Sequence, residues 1–105
     1  MPFVEVAKTE DVPEGEARKV SANGVDVALV NLGGGEFRAV GDVCSHAHYF
    51  LSEGEVDAED RTIECPKHGS TFSLVSGEPQ SLPATQPVPV FEIVVEGDDV
   101  NVVLP

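Results

Sequence analysis

Two short stretches carry the residues best suited to chemistry: Cys44-Ser45-His46 and Cys65-Pro66-Lys67-His68-Gly69. They hold both cysteines of the chain and two of its three histidines. Each offers one soft sulfur and one imidazole, and 18 residues separate His46 from Cys65. Two Cys and two His make a complete four-donor metal set. Tetrahedral zinc accepts that set, but zinc fingers usually pair like with like, as Cys-x(2–4)-Cys and His-x(3–5)-His. Here each arm is mixed, Cys-x-His and Cys-x-x-His, which leaves zinc open without favouring it. A nucleophilic Cys–His pair would need a base and an orienting group, and neither cysteine has a distinct one. Two core cysteines beside incidental histidines would not explain two matched arms.

The elements that must position these arms are short. At 105 residues the chain reads as one domain, 1–105, able to bury roughly 60–70% of its unfolded surface. No apolar run approaches the 18 or so residues of a membrane span. Met1-Pro2-Phe3-Val4-Glu5-Val6 lacks a basic region followed by an apolar core, so export is not expected. A reducing cytoplasm is the expected setting, which disfavours a Cys44–Cys65 disulfide. With 19 acidic residues against 6 basic ones, the net charge is −13. Such a charge repels phosphate, so neither nucleic acid nor an anionic membrane is an expected partner. It is compatible both with steering toward basic partner surfaces and with simple solubility.

Strand candidates recur every 8–12 residues. Phe3 to Ala7 alternates, then yields to an acidic turn over Thr9–Glu16. Ala17 to Val20 and Val25 to Leu32 flank Asn23-Gly24, a two-residue hairpin signal. Gly33-Gly34-Gly35 turns the chain into Glu36–Val40. Periodicity vanishes from Gly41 to Gly54, the first arm, and Gly54 to Asp60 is an acidic, exposed excursion. Arg61–Glu64 is a strand that delivers Cys65, and Thr71–Leu74 pairs back before a turn at Ser76–Pro79. Pro79, Pro83, Pro87 and Pro89 make residues 79–89 an ordered loop rather than a central strand. Pro89–Glu96 and Val100–Leu104 form a closing hairpin. No stretch of ten residues has a helical period. The fold class expected is all-β, an antiparallel sandwich or barrel.

The arms, read as Cys44-x-His46 and Cys65-Pro66-x-His68-Gly69, resemble the binding motif of Rieske [2Fe–2S] proteins. Leu51-Ser52-x-Gly54, Phe72, Gly77, Pro83-Ala84 and the ending Val90–Val95 before Gly97 also look like that family's pattern. The resemblance spans essentially the whole chain and is nearest to the small soluble Rieske-type ferredoxins, β domains with two cluster-binding loops at one end. It implies that Cys44 and Cys65 bind one iron of a [2Fe–2S] cluster, while His46 and His68 bind the other, nearer solvent. Each loop then gives one ligand to each iron. Neutral imidazoles in place of two thiolates leave the cluster less negative, so adding an electron is easier. Such centres lie at roughly −150 to +300 mV, against about −400 mV for plant-type clusters.

Departures from the pattern matter. High-potential Rieske proteins join the two loops by an extra disulfide, whose positions here are Tyr49 and Lys67. Ser70 stands at the serine that donates to the cluster, but Phe72 stands where a tyrosine would be. Fewer donors imply a potential low in the Rieske range. Pro66 and Gly69 are read as backbone devices, and Pro83 as part of a third loop over the cluster. His48 is two residues from a ligand but is not chosen by the motif. Glu53, Glu55, Asp57, Glu59 and Asp60 are candidates for steering a partner, or simply a solvated loop. The implied function is that of a one-electron carrier, not an enzyme. It would be a monomer passing electrons from a ferredoxin reductase to the terminal oxygenase of a ring-hydroxylating dioxygenase system. The alternative is a small Rieske-like subunit of an assimilatory nitrite reductase or another multisubunit oxidoreductase.

Overall fold

The computed structural model describes residues 3–42, 50–66, 69–80 and 87–103. Nine strands appear among them: β1 (Phe3–Lys8), β2 (Ala17–Ala22), β3 (Val25–Gly33), β4 (Glu36–Gly41), β5 (Val56–Asp57), β6 (Thr62–Glu64), β7 (Thr71–Ser73), β8 (Val90–Glu96) and β9 (Asp99–Val103). Six of them form one antiparallel sheet in the order β1-β9-β8-β4-β3-β2, and β5-β6-β7 form a second. The two edges of the larger sheet, β1 and β2, lie side by side, and Val4, Val6 and Val20 pack into one cluster across the seam. The sheet therefore nearly closes into a barrel, which leaves few exposed edges.

Turn chemistry sets the register. Asn23 and Gly24 have φ of 50° and 84°, the paired positive values of a tight hairpin whose twist matches its strands. The turn aligns Ala22 with Val25 and, five pairs on, Ala17 with Val30. Alternation along β3 then sends residues to two different cores. Val27 and Leu29 point into the barrel, with Ala39, Phe37, Val100 and Val102 around them. Ala28 and Val30 point outward, and they are covered by Ile63 and Phe72 of the small sheet together with Leu51 and Leu74 beside it. Because both faces are covered, β3 reads as a continuous apolar run rather than an alternating one. The side chains of Leu51, Ile63, Phe72 and Leu74 are inaccessible to solvent, and each contributes about 1.5–3 kcal/mol on the transfer scale.

The expected architecture stands, with two refinements. The acidic excursion after Gly54 is exposed, but it contains β5, whose two residues pair with Ile63 and Thr62 of β6. Single turns of 3-10 helix occupy Thr9–Asp11 and Leu51–Glu53, where the sequence suggested plain loop. The outer end of the small sheet is tied to the barrel by charge. Arg61 meets both carboxylate oxygens of Glu36 at 3.0 and 3.1 Å, and Arg38 shares the same carboxylate at 3.0 Å. These two guanidiniums, Arg61 foremost, hold the Glu36 carboxyl below its ordinary pKa.

Candidate metal centre

The second arm is a hairpin loop between β6 and β7. Ile63 pairs with Phe72 and Glu64 with Thr71, so the next rung is Cys65 opposite Ser70. That rung is closed by the Cys65 N–H donating to the Ser70 carbonyl at 2.7 Å. The Gly69 N–H donates back to the Cys65 carbonyl at 3.0 Å. Gly69 has φ of 73°, and nothing lies within 4 Å of where a Cβ would be. Its role here is the left-handed turn that a side chain would strain, not avoidance of a protein clash. Pro66 is exposed at the outer surface of the arm.

Cys65 itself is inaccessible to solvent, forms no disulfide, and belongs to the same apolar cluster as Leu51, Ile63, Phe72 and Leu74. Ser70, the partner of its rung, is equally buried. Phe72 lies behind them with its ring wholly in the core, where it offers packing and no donor.

The first arm returns to the protein beside the second. After the turn at Leu51–Glu53 the chain passes Gly54, where an added Cβ would lie 1.6 Å from the Glu64 carbonyl oxygen. Glu64 immediately precedes Cys65, and its N–H donates to the Glu55 carbonyl at 2.9 Å. The two arms are thus in backbone contact one residue before the buried cysteine. Gln80 and residues 87–89 also converge here. The Gln80 N–H reaches the Thr71 carbonyl at 2.6 Å, and the Gly41 N–H reaches the Pro89 carbonyl at 2.8 Å. Segment 87–89 runs between Gly41 and Gly77, each of which leaves room that a methyl group would fill.

Of the four ligand candidates, the structure places Cys65 at the mouth of the small sheet. Cys44, His46 and His68 lie outside the described residues, as do His48, Tyr49, Lys67 and Pro83. The acidic candidates Glu53, Glu55, Asp57, Glu59 and Asp60 are all exposed.

Two contacts at the root of the first arm were not foreseen from the sequence. Asp42, the residue after β4, is fully buried and accepts the Ser52 N–H through Oδ1 at 2.8 Å. The Lys19 ammonium sits 3.6 Å above the centre of the Phe50 ring, where the arm rejoins the described chain. An Asp just before a loop is a weak sequence signal, and a lysine 31 positions before its aromatic partner is none.

Comparison with known proteins defines the class. Residues 2–92 match the family model of the Rieske [2Fe–2S] domain, and the chain belongs to that family. It is 45% identical over 95 residues to the 3-phenylpropionate/cinnamic acid dioxygenase ferredoxin subunit of Shigella boydii serotype 4, across 90% of this chain and 87% of the relative. The ferredoxin of carbazole 1,9a-dioxygenase from Nocardioides aromaticivorans superposes with a TM-score of 0.92 at 32% identity, over 97% of both chains. The ferredoxin in a complex of reduced oxygenase and oxidized ferredoxin of carbazole 1,9a-dioxygenase superposes at 0.85, with 37% identity over 95% of this chain and 91% of that one.

The chain is accordingly a Rieske-type ferredoxin, an electron carrier rather than a catalytic enzyme, and its cofactor is a Rieske-type [2Fe–2S] cluster. The described donor fits that group. A sulfur free of any disulfide, held in an apolar wall by a closed hairpin, suits a soft ligand shielded from water. When bound, such a cluster supplies reversible one-electron chemistry. Among the described residues no helix is long and apolar enough to cross a membrane.

Proposed function

We propose that Cys44 and Cys65 hold one iron and His46 and His68 the other, and that the chain passes single electrons from a reductase to a terminal oxygenase. The observation that carries this reading is the buried, unpaired Cys65 on a hairpin joined backbone to backbone with the returning first arm. A Cys-x-His arm and a Cys-x-x-His arm meeting at such a junction give each iron one ligand from each arm. The oxygenase partner is supported by similarity to ferredoxin subunits of aromatic-ring dioxygenases. The chain works in the cytoplasm as a single-domain monomer, on this reading. Its net charge of −13 draws a basic docking face on the partner, so encounter is faster at low ionic strength.

The test has two parts. Histidine labelled with nitrogen-15 should show two nitrogens coupled to the unpaired spin of the reduced protein, one of them lost in His46→Cys and the other in His68→Cys. In stopped flow, the reduced protein should be reoxidised by the terminal oxygenase of an aromatic-ring dioxygenase, at a rate that falls as salt rises. A spectrum without histidine coupling refutes the ligand set. Rapid reoxidation by a nitrite reductase, with none by the oxygenase, refutes the partner.

A further inference from the structure

Asp42 is the first residue after β4 and stands at the root of the first arm. It is fully buried; two of its polar groups tie the arm's two ends together and a third holds it to the barrel. Its N–H donates to the Asp26 carbonyl of β3 at 3.1 Å, which holds it to the barrel. Its own carbonyl accepts the Leu51 N–H at 2.6 Å, and its Oδ1 accepts the Ser52 N–H at 2.8 Å. Leu51 and Ser52 open the short 3-10 turn, where the first amides have no acceptor within the turn itself. The capping position of that turn is Phe50, which makes no side-chain cap. Asp42 therefore supplies the missing cap from the other end of the arm. Its fourth polar atom, Oδ2, is buried with no hydrogen-bond partner among the described residues. An orphaned acceptor of this kind is unfavourable unless something fills its place.

We propose that Asp42 is the positioning residue of the first arm, and that its Oδ2 is the acceptor filled when the arm carries its cluster. Retention of the iron and the reduction potential then depend on this carboxylate, although it is not a ligand. The inference rests on the reading that Cys44 and His46 are ligands. It goes beyond that reading by naming what fixes the arm on which they stand. The backbone bonds of Asp42 locate the arm on the barrel, and the carboxylate fixes its orientation relative to the turn at Leu51–Glu53.

The test uses the loaded protein and two variants. Asp42→Asn keeps an oxygen for the Ser52 N–H but presents a donor where Oδ2 accepted. Asp42→Ala removes both oxygens. Iron and sulfide content, reduction potential, the electron paramagnetic resonance spectrum and the rate of iron loss to a chelator are read alongside thermal unfolding. Val102→Ala, a truncation inside the barrel, serves as the control for general loss of stability. The expected result is iron loss about tenfold faster in both Asp42 variants, the effect of one buried hydrogen-bonding group left unmatched. A shifted potential and an altered spectrum should accompany it, whereas Val102→Ala lowers only the unfolding temperature. Wild-type potential and iron-loss rate in Asp42→Asn overturn the role of Oδ2, and wild-type behaviour in both variants overturns the whole inference. If Asp42→Ala does not fold, Asp42→Asn decides alone. A wild-type protein with no two-iron spectrum, measured before any substitution, overturns the ligand reading and this inference with it.

Discussion

Replacing Gly54 by alanine tests the junction of the two arms. The backbone there has φ −89° and ψ −178°, values open to any residue, so no conformational strain accompanies the change. What is lacking is space: the new methyl would fall 1.6 Å from the Glu64 carbonyl oxygen and 3.3 Å from that of Leu51. The obstacle is backbone, so no side chain can swing away. Relief requires the first arm to lift from β6, stretching the 2.9 Å bond from the Glu64 N–H to the Glu55 carbonyl and dragging on Cys65 next to it. Overpacking of a tight site costs about 1–3 kcal/mol, and the upper end applies where only backbone can yield. For a domain of this size about 2–3 kcal/mol lowers the unfolding temperature by roughly 10–20 °C. Gly97→Ala is the control. Its φ is 62° but no atom lies within 4 Å of the added Cβ, so it carries only the strain of a left-handed residue, about 1–2 kcal/mol. Unfolding is followed by circular dichroism and cluster integrity by visible absorbance. Gly54→Ala should be the less stable of the two and should alone disturb the visible spectrum. Equal stability with an unchanged spectrum would show that the arms are not joined in the way described.

Two further outcomes are expected. Ser70→Ala should lower the potential by something on the order of tens of millivolts, because a hydrogen bond to cluster or cysteine sulfur favours the more negative, reduced state; an unaltered redox titration would leave this buried hydroxyl a purely structural part. Glu36→Gln should blunt the acid side of the stability profile. The Glu36 carboxyl is held below its ordinary value by Arg61 and then Arg38, so its contribution is present above the unfolded-state pKa and lost as pH falls through the folded one. The gap in unfolding temperature between wild type and variant should therefore be small at neutral pH, since Arg61 is exposed and Glu36 and Arg38 are only partly buried. It should close on acidification below about pH 4.5. A gap that widens toward acid would contradict this assignment.

Much of the fold was legible because its signals are local. Asn23-Gly24 names its own turn, and both residues have the positive φ that the turn demands. The β6–β7 hairpin followed from two short β-prone runs around Cys65-Pro66, and its register holds to the last rung. β5 escaped notice because its two residues, Val56 and Asp57, give too short a pattern within an acidic run and owe their conformation to β6. β3 hid its two-sided role for the opposite reason. A strand buried on both faces loses alternation, so the sequence shows that it is central without showing that a second sheet lies over Ala28 and Val30.

The proposed ligand set is local in the same way, since four residues at fixed spacings make it up. What holds the arms is not, because each tie joins positions far apart in the chain: Asp42 with Ser52, Gly54 with Glu64, Gly41 with Pro89. Glycines at 41 and 54 announce a need for room but not the neighbour that needs it. The surroundings of Cys65 carry a further consequence for the potential. In the proposed ligand set two imidazoles in place of thiolates would ease the arrival of an electron, but an apolar wall of Leu51, Phe72 and Leu74 opposes added negative charge. Within that wall Phe72 offers no donor, which among the described residues leaves Ser70 as the buried side chain beside Cys65 able to offset the opposition. Burial at the cysteine end therefore works in the same direction as the missing tyrosine, toward the low side of the range open to histidine-ligated clusters.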